Sequence, residues 1–440
     1  MEQSHSVNTD PEPISHRGCT KWRNWSGFWL LGMCNNFAYV VMLSAAHDIL
    51  KKQETQNSTA FASVTSEHGN SSSNSSSYDC NPTSTAAVLL ADILPTLFIK
   101  MLAPFIIHKV PYALRVLCCA LAAAASFLVV SFSSTVWMSF FGVVLASIGA
   151  GLGELSFLAL TVYFSRDVVG AWSSGTGGAG VAGAFLYSGL TQLGFTPQVT
   201  LLIMLIVPMA MVLSYFLLLA HPSSLPQWST RDSRCSELLE ETQGLMDSAE
   251  EDEDGDEDNR TARAGRRARG PLSNTEKLRV MKSLLKFVLP LGLVYFAEYF
   301  INQGLMELLY FPGFSLSHAE QYRWYQALYQ GGVFLSRSSL CCFKVRKLWI
   351  FTVLQFVNVV LLTLAVWYRF MPSVWIVFGI ILYEGLLGGC AYVNTFYFIS
   401  KETEERYREF AMSLASVGDT LGICLSTALS FPTHKYFCSL

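Results

Sequence analysis

The chain is 440 residues long, 51% hydrophobic and 14% charged, and carries 30 phenylalanines. That balance excludes a string of ordinary soluble domains and fits a polytopic membrane protein. The net charge of −3 excludes little, because acids and bases concentrate in a few loops; with no basic stripe among exposed aromatics, nucleic-acid binding has no support.

Residues 1–21 are polar, contain Pro11 and Pro13 and lack a small-residue cleavage site, so residues 1–24 are expected to form a cytosolic tail before a signal-anchor span. Eleven spans of the length a bilayer needs follow, near 25–47, 84–107, 112–132, 136–163, 168–191, 197–220, 283–307, 320–341, 349–368, 374–398 and 409–430. The eighth is the most polar, with Arg323, Gln326, Gln330 and Arg337 in or beside it. The links rich in Lys and Arg, among them HKVPYALR, FSRDVVG, CCFKVRK and SKETEERYRE, all fall on one side, which the positive-inside rule makes cytosolic. An odd number of spans then leaves the tail, residues 431–440, in the lumen.

The first lumenal loop, 51–83, is rich in Ser, Asn and Thr and holds glycosylation sequons at Asn57, Asn70 and Asn74. Cys80 and Cys438 are the two cysteines expected on that oxidising side, where they could pair as a disulfide. The middle segment, 221–282, joins an acidic run to a basic one with few apolar residues and reads as a disordered cytosolic linker. Within it Glu241, Leu245 and Met246 have the spacing of an acidic di-hydrophobic sorting signal that would dock sorting adaptors.

The linker divides a bundle of six spans, 25–220, from a bundle of five, 283–430. Three pairs of spans match in order: CNNFAYVVMLSAAHDI with FAEYFINQGLMELLYF, TVYFSR with TFYFISK, and SSGTGGAGVAGA with SLASVGDTLG. That order favours a duplicated unit, as in transporters whose two bundles rock about a central site. Asn36 then corresponds roughly to Glu298.

The acids and bases inside the spans carry the functional reading. A carboxylate in hydrocarbon costs roughly 3 kcal/mol on insertion scales, so it should meet a partner or a watery cavity. The seventh span places Glu298, Asn302 and Gln303 together at mid-depth, which suggests a polar path; alternatively Glu298 merely clasps a neighbouring helix. Asp92 and Lys100 lie two turns apart near one helix face, and Lys100 either faces a cavity as an anion-binding cation or snorkels to the headgroups. Glu154 follows GAGLG, Glu384 precedes GLLGG and Asp419 lies in SVGDTLG; each is either part of a moving, proton-coupled gate or a packed acid with a hydrogen bond. Metalloprotease, CXXC, phosphate-loop and nucleophile-elbow motifs are absent from the sequence, so no enzyme and no cofactor or metal is expected.

STAAVLLADILPTLFIK, WSSGTGGAG, VYFAEYFINQG, HAEQYRWYQ, SRSSL, YEGLLGGCAYVNTF and EFAMS together resemble the battenin family of late endosomal and lysosomal membrane proteins, associated with juvenile neuronal ceroid lipofuscinosis. The resemblance runs through nearly all of residues 25–440 and fades in the first loop and the linker. It implies a major-facilitator-like, all-α fold, lysosomal residence and a role in clearing glycerophosphodiesters. The chain departs from the family's lipidation signals: it begins Met-Glu-Gln, and only Ser439 and Leu440 follow Cys438.

A substrate of that kind is a small anion, so Lys100 and Arg337 are the candidate cations, with Asn36, Glu298, Asn302, Gln303 and Asn394 for its hydroxyls. Glu154, Glu298, Asp92, Glu384 and Asp419 are candidates for proton coupling or gating. Two other readings stand beside the exporter: a non-transporting scaffold regulating trafficking and pH homeostasis through the linker, and a lipid-modifying membrane enzyme.

Overall fold

The computed structural model describes residues 19–42, 84–107, 110–222, 225 and 272–438. The sequons, Cys80 and the sorting triplet Glu241, Leu245 and Met246 lie outside these residues, as does the Cys438 side chain. Among the described residues there is no strand. The chain is an all-α polytopic membrane protein with helices α1 (19–42), α2 (Ser84–Ile106), α3 (Tyr112–Ser131), α4 (Val136–Leu160) and α5 (Asp167–Gln192). Then come α6, broken into Pro197–Ile203 and Ile206–Leu213, α7 (Asn274–Phe300), α8 (His318–Ser338), α9 (Trp349–Tyr368), α10 (Val374–Glu402) and α11, broken into Glu405–Ala415 and Val417–Cys438. By length and composition, seven of the described helices can cross a membrane. α5 and α8 trade apolar residues for Gly, Ser, Gln and Arg, because each packs on the other between the two halves.

Helix boundaries follow local chemistry. α7 begins nine residues earlier than the expected span at 283 because Ser273 and Glu276 form a capping box: the Glu276 amide donates to Ser273 Oγ (3.3 Å) and the Ser273 amide to Glu276 Oε2 (2.9 Å). Residues 274–282, assigned to the linker from composition, are therefore helical. At its other end α7 widens into a π-turn, Ile301–Leu305, within the polar cluster. α2 carries Pro95 inside it, and beside that proline the Ser147 hydroxyl enters the helix ladder, donating to the Asp92 carbonyl and accepting from the Thr96 amide (3.2 Å).

The internal repeat is written in helix contacts. α5 approaches α1 so closely that a Cβ on Gly175 would strike the Trp29 carbonyl and the Met33 amide; on α11, a Cβ on Gly422 would strike the Gly292 carbonyl and the Phe296 amide of α7. Gly153 of α4 is overlaid by the Asn35 amide group, as Gly388 of α10 is by the Glu298 carboxylate. The interval from Trp29 to Asn35 equals that from Gly292 to Glu298, so the residue equivalent to Glu298 is Asn35, one position from the expected Asn36. Replacing Gly175 with leucine is expected to cost about 3 kcal/mol or more through overpacking. Leucine at Gly189, where nothing lies within 4 Å, should leave the thermal melting of the detergent-purified protein nearly unchanged.

The halves meet where α2 packs on α11 and α5 on α8. Contacts between them reach the end rich in Lys and Arg. There Tyr112 and Tyr163 donate to the two oxygens of Glu409 (2.5 and 2.8 Å), Phe105 meets Phe410 edge-on at 5.7 Å, and Ser413 donates to the Leu155 carbonyl (3.3 Å). This conformation is closed at the basic end.

Candidate functional site: buried cations at the interface of two halves

Lys100 is only 1% exposed. It does not snorkel: its Nζ sits 2.7 Å from Glu154 Oε2 and 3.4 Å from Asp419 Oδ1, and donates to Thr420 Oγ1 at 2.7 Å. Glu154 belongs to the same half as Lys100, Asp419 and Thr420 to the other. The break in α11 builds the far side of this cluster: Asp419 stands in the first turn after Ser416, where its Oδ1 also accepts from the Thr420 amide (2.8 Å).

Arg337 of α8 does the reverse. Its Nη1 donates to Thr176 Oγ1 on α5 (2.6 Å) and its Nη2 to the Tyr295 hydroxyl on α7 (2.7 Å), while the guanidinium lies 4.1 Å above the Tyr392 ring. Tyr392 joins the two cations, because its hydroxyl donates to Glu154 Oε1 (2.8 Å) and accepts from Trp172 Nε1 (3.4 Å). Each half thus sends one buried cation across to the other, Lys100 from α2 and Arg337 from α8.

A second cluster lies wholly in the C-terminal half. The Tyr329 hydroxyl donates to Glu298 Oε1, and Asn302 Nδ2 donates to Glu384 Oε1 (3.4 Å). Glu298 Oε2, Glu384 Oε2 and Asn302 Oδ1 are buried without a hydrogen-bond partner among the described residues. Tyr299, one residue beyond Glu298, bonds to Tyr39 of α1 and so ties this cluster to the N-terminal half.

Other expected residues fall elsewhere. Asp92 is fully buried, and neither carboxylate oxygen has a hydrogen-bond partner among the described residues; it lies on the side of α2 toward Tyr39. Asn36 is half-buried and accepts from Asn35, which itself donates to the Ala150 carbonyl (3.0 Å). Gln303 is half-buried on the π-turn. Asn394 has a structural position at the basic end of α10, where its Oδ1 accepts from the Val345 amide (2.7 Å) and its Nδ2 donates to the Cys390 carbonyl (2.9 Å). Reading charges alone misses the aromatic frame of Trp172, Tyr295, Tyr329 and Tyr392. The signal was present as tyrosines within spans, whose hydroxyls need partners when buried.

Residues 26–440 match the family described as CLN3 protein. The chain belongs to the CLN3 protein family. It is 51% identical to Battenin of Canis lupus familiaris over 99% of this chain and 97% of that protein, and 37% identical to Protein btn-1 of Neurospora crassa over 94% and 88%. In fold, this CLN3 family member resembles the crystal structure of the human organic anion transporter MFSD10 (TETRAN), with a TM-score of 0.54 at 15% identity over 97% of this chain and 95% of that one. The major-facilitator-like architecture accords with the two matched halves.

Proposed function

We propose that the protein is a lysosomal and late endosomal exporter of small anionic phosphodiesters, glycerophosphodiesters among them, working by alternating access. The observation that carries this reading is the exchange of buried cations between the halves. When the halves separate, Lys100 must give up Asp419 and Arg337 must give up Thr176, which frees cationic hydrogen-bond donors for an anion at the centre of the membrane. A phosphodiester bearing one charge can take the place of Asp419 beside Lys100 or dock on the planar fork of Arg337. Its hydroxyls then have Asn302, Gln303 and the tyrosine frame for partners.

Proton coupling belongs to the same proposal. Among the described residues Glu298 and Glu384 each keep one oxygen without a hydrogen-bond partner, and a proton on either supplies a donor to the cluster. Reconstituted transport that ignores a pH gradient would remove this clause and leave the carrier reading intact. The lipid-modifying alternative is separated by incubating labelled glycerophosphodiester with detergent-solubilised protein: a carrier returns it unchanged.

The latch at the basic end, assigned here to the cytosol, gives a further expectation. Substituting phenylalanine at both Tyr112 and Tyr163 removes two hydroxyl bonds to Glu409, each worth about 1 kcal/mol or more because the acceptor is charged. The cytosol-open state should gain population about tenfold or more. Thiol labelling of a cysteine introduced at Leu155 should accelerate from the cytosolic side in the double variant; an unchanged rate would show that the tyrosines do not hold the gate.

A further inference from the structure

A cavity of about 410 Å³ opens at the basic end, remote from the buried cations, lined by Lys286 and Phe287 of α7, Arg346 to Leu348 of the α8–α9 link, Trp349 and Ile350 at the head of α9, and Glu402 closing α10. Among the described residues its charges are unbalanced. Glu402 alone holds two cations, with Oε2 3.1 Å from Lys286 Nζ and Oε1 2.8 Å from Arg346 Nε. Lys347 adds a third basic side chain, with no ion-pair partner among the described residues.

A basic cavity of this kind suits an anionic ligand, and the surroundings say where that ligand comes from. Trp349 and Ile350 are exposed at the rim, and Leu285 and Leu289 project outward from the same stretch of α7, followed along α9 by Val353 and Val357. A tryptophan at a basic helix end, above a column of outward apolar residues, marks the depth at which headgroups meet acyl chains. The Arg346 side chain is largely exposed, and its terminal nitrogens make no hydrogen bond among the described residues, which suits them to a planar, two-pronged contact with phosphate oxygens.

We propose that this cavity is a binding site for the phosphate-bearing headgroup of an anionic membrane lipid. The headgroup phosphate bonds to Arg346, Lys347 and Lys286 in competition with Glu402, and the acyl chains lie along the apolar faces of α7 and α9. The site is independent of the transport reading, since none of these residues belongs to the two buried clusters.

The test uses the full-length protein in detergent, with binding read by native mass spectrometry and thermal shift. The probes are dioctanoyl phosphatidylinositol monophosphate, dioctanoyl phosphatidylcholine and inorganic phosphate. The inositol lipid should bind, the choline lipid should bind more weakly, and inorganic phosphate should not displace the inositol lipid at matched concentration. Lys347→Glu, a change at an exposed loop position, should weaken binding of the inositol lipid about tenfold. Glu402→Gln should strengthen it, because the competing carboxylate is gone; a purely structural role for Glu402 predicts the opposite. Equal binding of both lipids, displacement by inorganic phosphate, or a Lys347→Glu variant with unchanged affinity would overturn the proposal.

Discussion

Lys100→Met is expected to destabilise the folded protein by about 3–5 kcal/mol, because it leaves Glu154 and Asp419 in the membrane interior without the cation between them. The penalty comes from the stranded carboxylates more than from the lost contact. Asp419→Asn added to Lys100→Met should therefore restore much of the stability, as one stranded charge is neutralised in place. Glu154 retains the Tyr392 hydroxyl, so the double variant should remain below wild type. Thermal melting of the four proteins of this cycle in detergent measures the coupling. Strictly additive losses would mean that Lys100 and Asp419 do not neutralise each other.

Arg337→Lys is expected to lower transport at least about tenfold with a smaller effect on melting temperature. Arginine meets Thr176 and Tyr295 with two separate nitrogens while its plane lies over Tyr392, and a single ammonium cannot hold all three positions. The loss should appear mainly as a raised KM if Arg337 receives the anion, and mainly as a reduced kcat if it only fastens α8 to α5. Measuring both parameters in proteoliposomes separates the two roles.

Much of the architecture was legible in the chain. Span positions follow from bilayer length, and the matched pairs of spans point to duplicated halves. The register of the repeat was not legible to the residue: Asn35 and Asn36 are neighbours in sequence, and only the approach of α4 shows that Asn35 occupies the place of Glu298. Composition also placed 274–282 in the linker, because it weighed the polar residues and missed the Ser273–Glu276 box that starts α7 there.

At the site, the buried acids and bases were identifiable by the cost of burying charge, but their pairing was not. Lys100 is separated by more than three hundred residues from Asp419, and nothing local announces that contact. Asn394 resembled a substrate ligand because it is polar within an apolar span, whereas its amide pins the α8–α9 link to α10. Tyr392 carried no charge to attract notice, yet it touches Glu154, Trp172 and Arg337 together.

In the proposed cycle the two halves move a small anionic phosphodiester past a shared set of buried cations. Counterflow of labelled glycerophosphodiester into proteoliposomes loaded with the unlabelled compound tests it most directly. Wild type should concentrate label transiently above its external level, and Arg337→Gln, reconstituted in equal amount, should not. Wild-type vesicles that take up no more label than empty liposomes, or that convert the label to another compound, would rule out an exporter of this substrate class.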